Sequence, residues 1–275
     1  MYTLYLALAV ALFIAIVPAL LGVSLGWTIL PGILLGVFSF VWVNRRIAKR
    51  IEAVTQAADA EMNALQAIAR QQGPNVQLAM ANKFDRAVEI LQRAFIFQKW
   101  QLGATTMLNA RVGMLLFMRW LVLKKDGLKE SIPYLENSRV KGKKARLMGA
   151  LWPAWAMLAV AYYKTKSLDK ALEVLESSVG IAKKEGMLWG IYAWILEEEG
   201  RHDQAVDVLA RGKVGAPDDK HLMANLVLLQ NGKKLNMKAY GEQWYQFGLE
   251  QPKVPAMTAQ MGHPRMRARR GLMRR

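Results

Sequence analysis

Side chains that commonly carry out chemistry are few in this chain, and their spacing matches no catalytic arrangement. The 275 residues include no cysteine, which excludes disulfides, thiol nucleophiles and cysteine metal sites. The histidines His202, His221 and His263 have no metal-ligand spacing. Glu197, Glu198 and Glu199 are consecutive, and consecutive helical residues do not share a face, so these acids are expected to be solvated. With no phosphate loop or nucleophile elbow either, the sequence predicts no enzyme, no metal and no cofactor.

Charge is the remaining chemical signal, and it favours anionic partners. The formal net charge is +17. Residues 102–151 carry ten basic and three acidic side chains, residues 252–275 carry seven basic and none acidic, and residues 186–219 carry three basic and seven acidic. This distribution is compatible with nucleic acid, anionic lipid or an acidic protein, but no fold-specific nucleic-acid motif accompanies it. The basic run at residues 139–146 is equally well explained as solvated surface.

The chain begins with a long apolar segment that precedes all of these charged residues. Residues 1–43 contain no charged side chain, about twice the ~20 residues that one membrane helix requires. Glycine, serine and proline cluster near the middle of this run. We therefore predict a transmembrane hairpin over residues 1–43, with helices at residues 2–21 and 27–43. Gly22 with Gly26, and Gly32 with Gly36, have a spacing that lets helices approach closely.

Four basic residues lie within residues 44–50, directly after the second predicted span, whereas the turn between the spans has none. Basic residues next to a span are retained in the cytoplasm. We therefore expect an integral protein of a bacterial inner membrane, with the lipid bilayer around residues 1–43 and the rest of the chain cytoplasmic.

A connecting helix is predicted over residues 44–72, and it could pack against the following helices or form a coiled-coil dimer. Residues 104–123 are apolar enough to resemble a third span. Arg111 and Arg119 lie inside that stretch and would each cost ~2.5 to 3.5 kcal/mol near the membrane centre, which favours a buried helix. Peripheral contact with the bilayer stays open.

One pattern then returns at a spacing of 34 residues, the length of a helix, a turn and a second helix. The equivalent places are held by Trp155, Trp189 and Met223, by Leu158, Tyr192 and Leu226, by Ala159, Ala193 and Val227, and by Ala171, Ala205 and Ala239. These residues resemble the tetratricopeptide repeat (TPR) in units 152–185 and 186–219. Unit 220–253 is weaker, since Gln243 and Gln246 stand at apolar or small places, so its second helix could be irregular. An unrelated array of helical hairpins is the alternative.

Together with the apolar N-terminus, the resemblance implies an all-α fold, in which the N-terminal two-helix transmembrane hairpin precedes a cytoplasmic TPR-like α-solenoid over residues 73–251. It also implies a membrane-anchored scaffold for protein–protein interaction at the cytoplasmic face. The alternative is a nucleic-acid or ribosome-associated membrane protein that acts through its basic segments. A third reading is an accessory subunit whose hairpin packs within a larger membrane complex.

In the resembling family, places 9, 12 and 13 of each first helix line a concave groove for a protein partner. The corresponding candidates are Trp120, Leu123, Lys124, Val160, Tyr163, Lys164, Trp194, Glu197 and Glu198. They would suit a mixed aromatic and charged segment, although aromatic residues at these places are more typical of packing between repeats.

The tail, residues 252–275, contains three prolines and two glycines, which makes a stable helix unexpected. Its arginines are Arg265, Arg267, Arg269, Arg270, Arg274 and Arg275. We predict that they contact an anionic lipid surface, with RNA as the second candidate and a solvated tail as the third.

Overall fold

The computed structural model describes residues 2–69, 75–101, 103–124, 127–140 and 149–251, and regular structure in these ranges is entirely helical. The α-helices are α1 (Tyr2–Leu20), α2 (Leu25–Ala69), α3 (Val76–Arg93), α4 (Ala104–Leu123), α5 (Leu128–Asn137), α6 (Trp152–Lys164), α7 (Leu168–Ile181), α8 (Gly186–Glu198), α9 (His202–Gly215), α10 (Lys220–Gln230) and α11 (Glu242–Tyr245). The arginine-rich tail lies outside the described residues, and its role stays a prediction.

Helices α1 and α2 pack against each other over small residues. A Cβ atom built on Gly32 would lie 2.8 Å from the Ala11 carbonyl oxygen, and one built on Gly36 would lie 2.8 Å from the Ala11 Cβ. Larger side chains would therefore push the helices apart. A Cβ atom built on Gly22 or Gly26 would have no atom within 4 Å. This other predicted glycine pair therefore makes no close approach between the helices.

Helix α2 continues without a break for 45 residues, about 68 Å at 1.5 Å per residue. Its second half packs on α3, where Ala58 joins a buried cluster with Ala87 and Leu91. Glu61 accepts a hydrogen bond from the Lys83 ammonium at 2.6 Å. In this structure the second half of α2 thus packs against the following helices, the first of the two alternatives that the sequence leaves open.

By length and composition alone, three helices of the described residues could cross a membrane: α1, residues 26–65 of α2, and α4. Both arginines of α4 are paired, since Arg111 lies 3.2 Å from Asp59, and Arg119 lies 3.1 Å from Asp85 and 3.7 Å from Glu130. One face of α4 also packs closely on α5. These contacts support the prediction that α4 is a packed helix of the array.

Two helical hairpins, α6–α7 and α8–α9, follow the 34-residue pattern. The indole N–H of Trp155 donates to the Ser138 carbonyl oxygen at 3.4 Å, and that of Trp189 donates to the Lys183 carbonyl oxygen at 2.8 Å. Each buried ring thus has its polar atom satisfied by the segment before it. Ala171 and Ala205, at the place where paired helices approach most closely, are fully buried.

The third unit departs from the pattern after α10. Instead of a second long helix, residues 231–251 form a 3-10 turn (Met237–Tyr240), the four-residue α11 and further turns. The side chain of Val227 is 56% exposed, because no second helix packs against it as α7 and α9 pack in their own units. Ala239, which the pattern aligns with Ala171 and Ala205, is exposed as well.

The repeat register predicts a difference between two alanines of α9. Changing the buried Ala205 to Leu should overpack the contact between paired helices and lower the free energy of unfolding by ~1 to 3 kcal/mol. The same change at Ala210, which is exposed on α9, should have an effect within about 0.5 kcal/mol. Denaturant unfolding followed by circular dichroism measures both; equal effects would show that the register is wrong.

Candidate functional site

The predicted groove residues lie at the C-terminal ends of three neighbouring helices. Trp120 is in the last turn of α4, and Lys124 is the residue that ends this helix, with a left-handed φ of 55°. Tyr163 and Lys164 end α6, and Trp194 is in the last turns of α8. The rings of Tyr163 and Trp194 meet edge-on with centroids 6.3 Å apart. The structure thus brings candidates from successive helices close together.

The concave face between these helices is filled by the chain itself. Residues 237–249, which we call the groove-filling segment, cross the first helices of the repeats. The ring of Trp244 lies 5.8 Å from that of Trp194, and the ring of Phe247 stacks on Trp152 at 6.0 Å. Both Trp244 and Phe247 are completely buried.

Two close approaches define the path of the groove-filling segment. A Cβ built on Gly190 of α8 would lie 2.6 Å from the Met237 methyl carbon, so the end of the Met237 side chain lies directly against this helix. At the other end, Gly248 has a φ of 65°, and a Cβ there would lie 2.7 Å from Leu121 of α4. The segment therefore reaches from α8 back to α4.

Hydrogen bonds hold the two ends of the groove-filling segment in place. The Asn236 N–H donates to the Asn225 side-chain oxygen at 2.7 Å, and the Trp244 indole N–H donates to Glu250 at 3.3 Å. The Tyr240 hydroxyl donates to Asp219 at 3.3 Å. Burial raises the pKa of Tyr240, and the Asp219 charge raises it further, so the hydroxyl keeps its proton at neutral pH.

The prediction that Val160 lines an open groove is wrong. This side chain is 0% exposed and belongs to the hydrophobic core, so it cannot contact a partner. Trp120, Tyr163 and Trp194 are half-buried and pack against the same core. Sequence reasoning placed an open groove here because it aligned residues 237–249 with a second repeat helix.

One part of the predicted site stays open, at the rim where α4 and α6 end. It is a surface hollow of about 640 Å³ lined by Trp120, Gly127, Leu128, Lys129, Glu130, Lys164, Thr165 and Lys166. Three exposed lysines line this hollow, and a fourth, Lys124, lies next to it; we call them the lysine edge: Lys124, Lys129, Lys164 and Lys166. The Lys124 ammonium lies 5.6 Å from the centre of the Trp120 ring. Lys129 and Lys166 were not foreseen, since both lie outside the repeat places that line a groove.

The lysine edge is a concentration of positive charge. Among the described residues, no carboxylate lies within salt-bridge distance of any of its four ammonium groups. Partial burial lowers the pKa of Lys164, and the charges of Lys124 and Lys166 lower it further, while Glu198 acts in the opposite direction. An anion bound here would relieve this repulsion and raise the pKa of Lys164.

The three consecutive glutamates take separate roles. Glu197 pairs with Nδ1 of His202 at 2.7 Å, across the turn between α8 and α9. Glu198 is exposed and faces Lys164 and Tyr163. Burial raises the pKa of Tyr163, and the charges of Glu199 and Glu198 raise it further. Within the described residues, no group of three or more histidine, aspartate or glutamate side chains could hold a metal ion.

Comparison with known proteins identifies the central hairpin. A family model described as tetratricopeptide repeat matches residues 153–185, which comprise α6 and α7. Residues 153–185 form a TPR. A solved structure of a mutant of MamA is similar to this chain, with 17% identity over 61% of this chain and 96% of that chain, at a TM-score of 0.34. No curated protein matches the chain by sequence.

The TPR hairpin carries two lysines of the lysine edge. Its first helix, α6, ends with Tyr163 and Lys164, and the turn that leads to its second helix carries Lys166. The Lys164 ammonium lies 5.8 Å from the centre of the Tyr163 ring. The repeat thus presents charge at its helix ends while its apolar concave face is already covered.

Proposed function

We propose that this protein is a membrane-anchored scaffold that binds an acidic segment of a partner protein at the lysine edge. The observation that carries the proposal is the group of four exposed lysines at one hollow that Trp120 also lines, with no salt bridge to a carboxylate among the described residues. TPR hairpins stack into extended surfaces suited to protein binding. The lysine edge supplies the charge that selects the ligand.

The chemistry of the hollow suits a peptide that carries both carboxylates and an apolar side chain. Trp120 and Leu128 offer apolar surface, and the lysines are compact charges on flexible stems that can adjust to several carboxylates. A wide, open hollow fits an extended segment better than a small molecule, which usually requires enclosure. Because the groove-filling segment occupies the concave face, the partner would bind along the rim.

Membrane anchoring is supported by length, composition and packing. Helix α1 and the first part of α2 are apolar and pack on each other at Gly32 and Gly36, and the basic run at residues 45–50 follows the apolar part within α2. Basic residues at the end of a span favour the cytoplasmic side, which would place the lysine edge in the cytoplasm. The anchor would then keep the bound partner close to the membrane.

Single cysteines in this cysteine-free chain test the topology. Val23 lies in the turn between α1 and α2, and Lys99 is exposed near the start of α1. In intact cells, Val23→Cys should react with a membrane-impermeant maleimide, whereas Lys99→Cys should react only after the membrane is permeabilised. Labelling of both cysteines, or of Lys99→Cys alone, in intact cells would contradict the proposed hairpin orientation.

Charge reversal tests the lysine edge. Replacement of Lys164 and Lys166 by Glu should reduce the partner recovered by crosslinking in intact membranes by about 10-fold or more, because attraction becomes repulsion. The matched control replaces Lys183 and Lys184, two exposed lysines after α7, by Glu. It makes the same change in net charge away from the hollow and should keep recovery within about two-fold. Equal losses in the two variants, or no loss in the first, would refute binding at the lysine edge.

A further inference from the structure

The start of α1 is tied to the segment that follows α3. The Tyr2 N–H donates to the Lys99 carbonyl oxygen at 2.9 Å, and the Thr3 hydroxyl donates to the Trp100 carbonyl oxygen at 2.7 Å. The rings of Tyr2 and Trp100 meet edge-on at 5.4 Å. Residues 99 and 100 are therefore fixed at the level where the first apolar helix begins.

A hollow of about 370 Å³ lies between this segment and α2, and we call it the interfacial hollow. It is lined by Trp42, Val43, Arg46, Ile47, Arg50, Ile96, Phe97 and Trp100. Arg46 and Arg50 are one helical turn apart, so their side chains share a face of α2. The side of the hollow opposite α2 is apolar and is formed by Ile96, Phe97 and Trp100. Ile96 is 71% exposed.

We propose that the interfacial hollow binds an anionic phospholipid, with its headgroup phosphate between Arg46 and Arg50 and one acyl chain against Ile96, Phe97 and Trp100. This proposal rests on the membrane anchoring proposed above. Guanidinium groups pair with phosphate oxygens through two parallel N–H donors. The Arg46 guanidinium carbon lies 5.0 Å from the centre of the Trp42 ring, and stacking on a ring face leaves the N–H edge free for phosphate.

The position of the interfacial hollow favours a lipid over a soluble phosphate. It begins at Trp42 and Val43, the last residues of the uncharged N-terminal run, and contains Arg46 and Arg50, two of the four basic residues that directly follow that run. Tryptophan and arginine at this depth lie at the headgroup level of a bilayer. A soluble phosphate would make no contact with the exposed, apolar Ile96 side chain. The acyl chain of a phospholipid would lie beside it.

Charge favours an anionic headgroup over a zwitterionic one. Among the described residues, neither Arg46 nor Arg50 lies within salt-bridge distance of a carboxylate. The hollow therefore presents two uncompensated positive charges. A zwitterionic lipid would bring its own cation next to them, whereas phosphatidylglycerol adds only the negative phosphate.

Native mass spectrometry of the full chain in non-ionic detergent tests the proposal. Wild-type protein should retain phosphatidylglycerol in preference to phosphatidylcholine. Replacement of Arg46 and Arg50 by Gln should weaken phosphatidylglycerol binding by about 10-fold or more, since the phosphate loses both guanidinium partners. Ile96→Ser should weaken it to a smaller extent, because it removes apolar contact with the acyl chain. Circular dichroism of each variant confirms that the helices are intact.

The matched control replaces Arg45 and Lys49 by Gln, which removes the same charge from α2 at exposed residues that do not line the interfacial hollow. This variant should retain phosphatidylglycerol within about two-fold of wild type. Equal loss in the two double variants, equal binding of phosphatidylcholine, or displacement of the lipid by excess inorganic phosphate would overturn the site.

Extraction of wild-type membranes with alkaline carbonate separates the two proposals. Release of the chain refutes the anchor, whereas a retained chain without lipid preference refutes only the lipid site.

Discussion

An apolar concave face cannot stand open to water without a large cost, and in this protein the chain's own residues 237–249 cover it. The rings of Trp152 and Trp194 lie on the first helices of two repeats and are met by Phe247 and Trp244. Burial of aromatic side chains is among the largest single contributions to folding stability, and here it ties three helical units together. The same contact limits where a partner can bind to the repeats, because in the described part of the chain it covers the concave face and leaves the rim accessible.

The arginines of the packed helix α4 form salt bridges, whereas the cations of the two proposed binding surfaces do not. Arg111 and Arg119 on α4 both lie against carboxylates of neighbouring helices. The lysine edge and the two arginines of the interfacial hollow have no such partners among the described residues, and both surfaces border aromatic rings. Exposed, uncompensated cations beside apolar surface are suited to ligands that are acidic and partly apolar. A peptide suits the first surface and a phospholipid suits the second.

The sequence predicted the regular part of the fold well. Trp155 and Trp189 revealed the register because a large ring recurs wherever one helical hairpin packs on the next, and the small residues Ala171 and Ala205 recur for the same reason. The paired arginines of α4 could be assigned to a packed helix from the cost of charge in a membrane.

What the sequence could not predict lies where the repetition ends. The periodicity assigned residues 237–249 to a second helix, since a period reports what recurs and contains no information on a segment that occurs once. Gln243 and Gln246 signalled irregularity, but the pairing of Trp244 with Trp194 joins residues 50 positions apart and has no local signature. Val160 was misassigned because a place in the repeat register does not report how deeply a side chain is buried, and Lys166 was missed because it follows the helix end.

Solvent access to the groove-filling segment tests the central claim most directly. In this cysteine-free chain, Met237→Cys and Leu249→Cys place a thiol at two buried positions of the segment, and Lys234→Cys and Glu242→Cys place one at exposed neighbours. The rate of labelling by a water-soluble maleimide in the folded protein should be about 100-fold lower at the two buried positions, the factor that a local opening free energy of about 2.8 kcal/mol produces. Labelling of Met237→Cys and Leu249→Cys at the rates of the exposed controls would show that the segment does not fill the groove, and that the concave face is open to a partner.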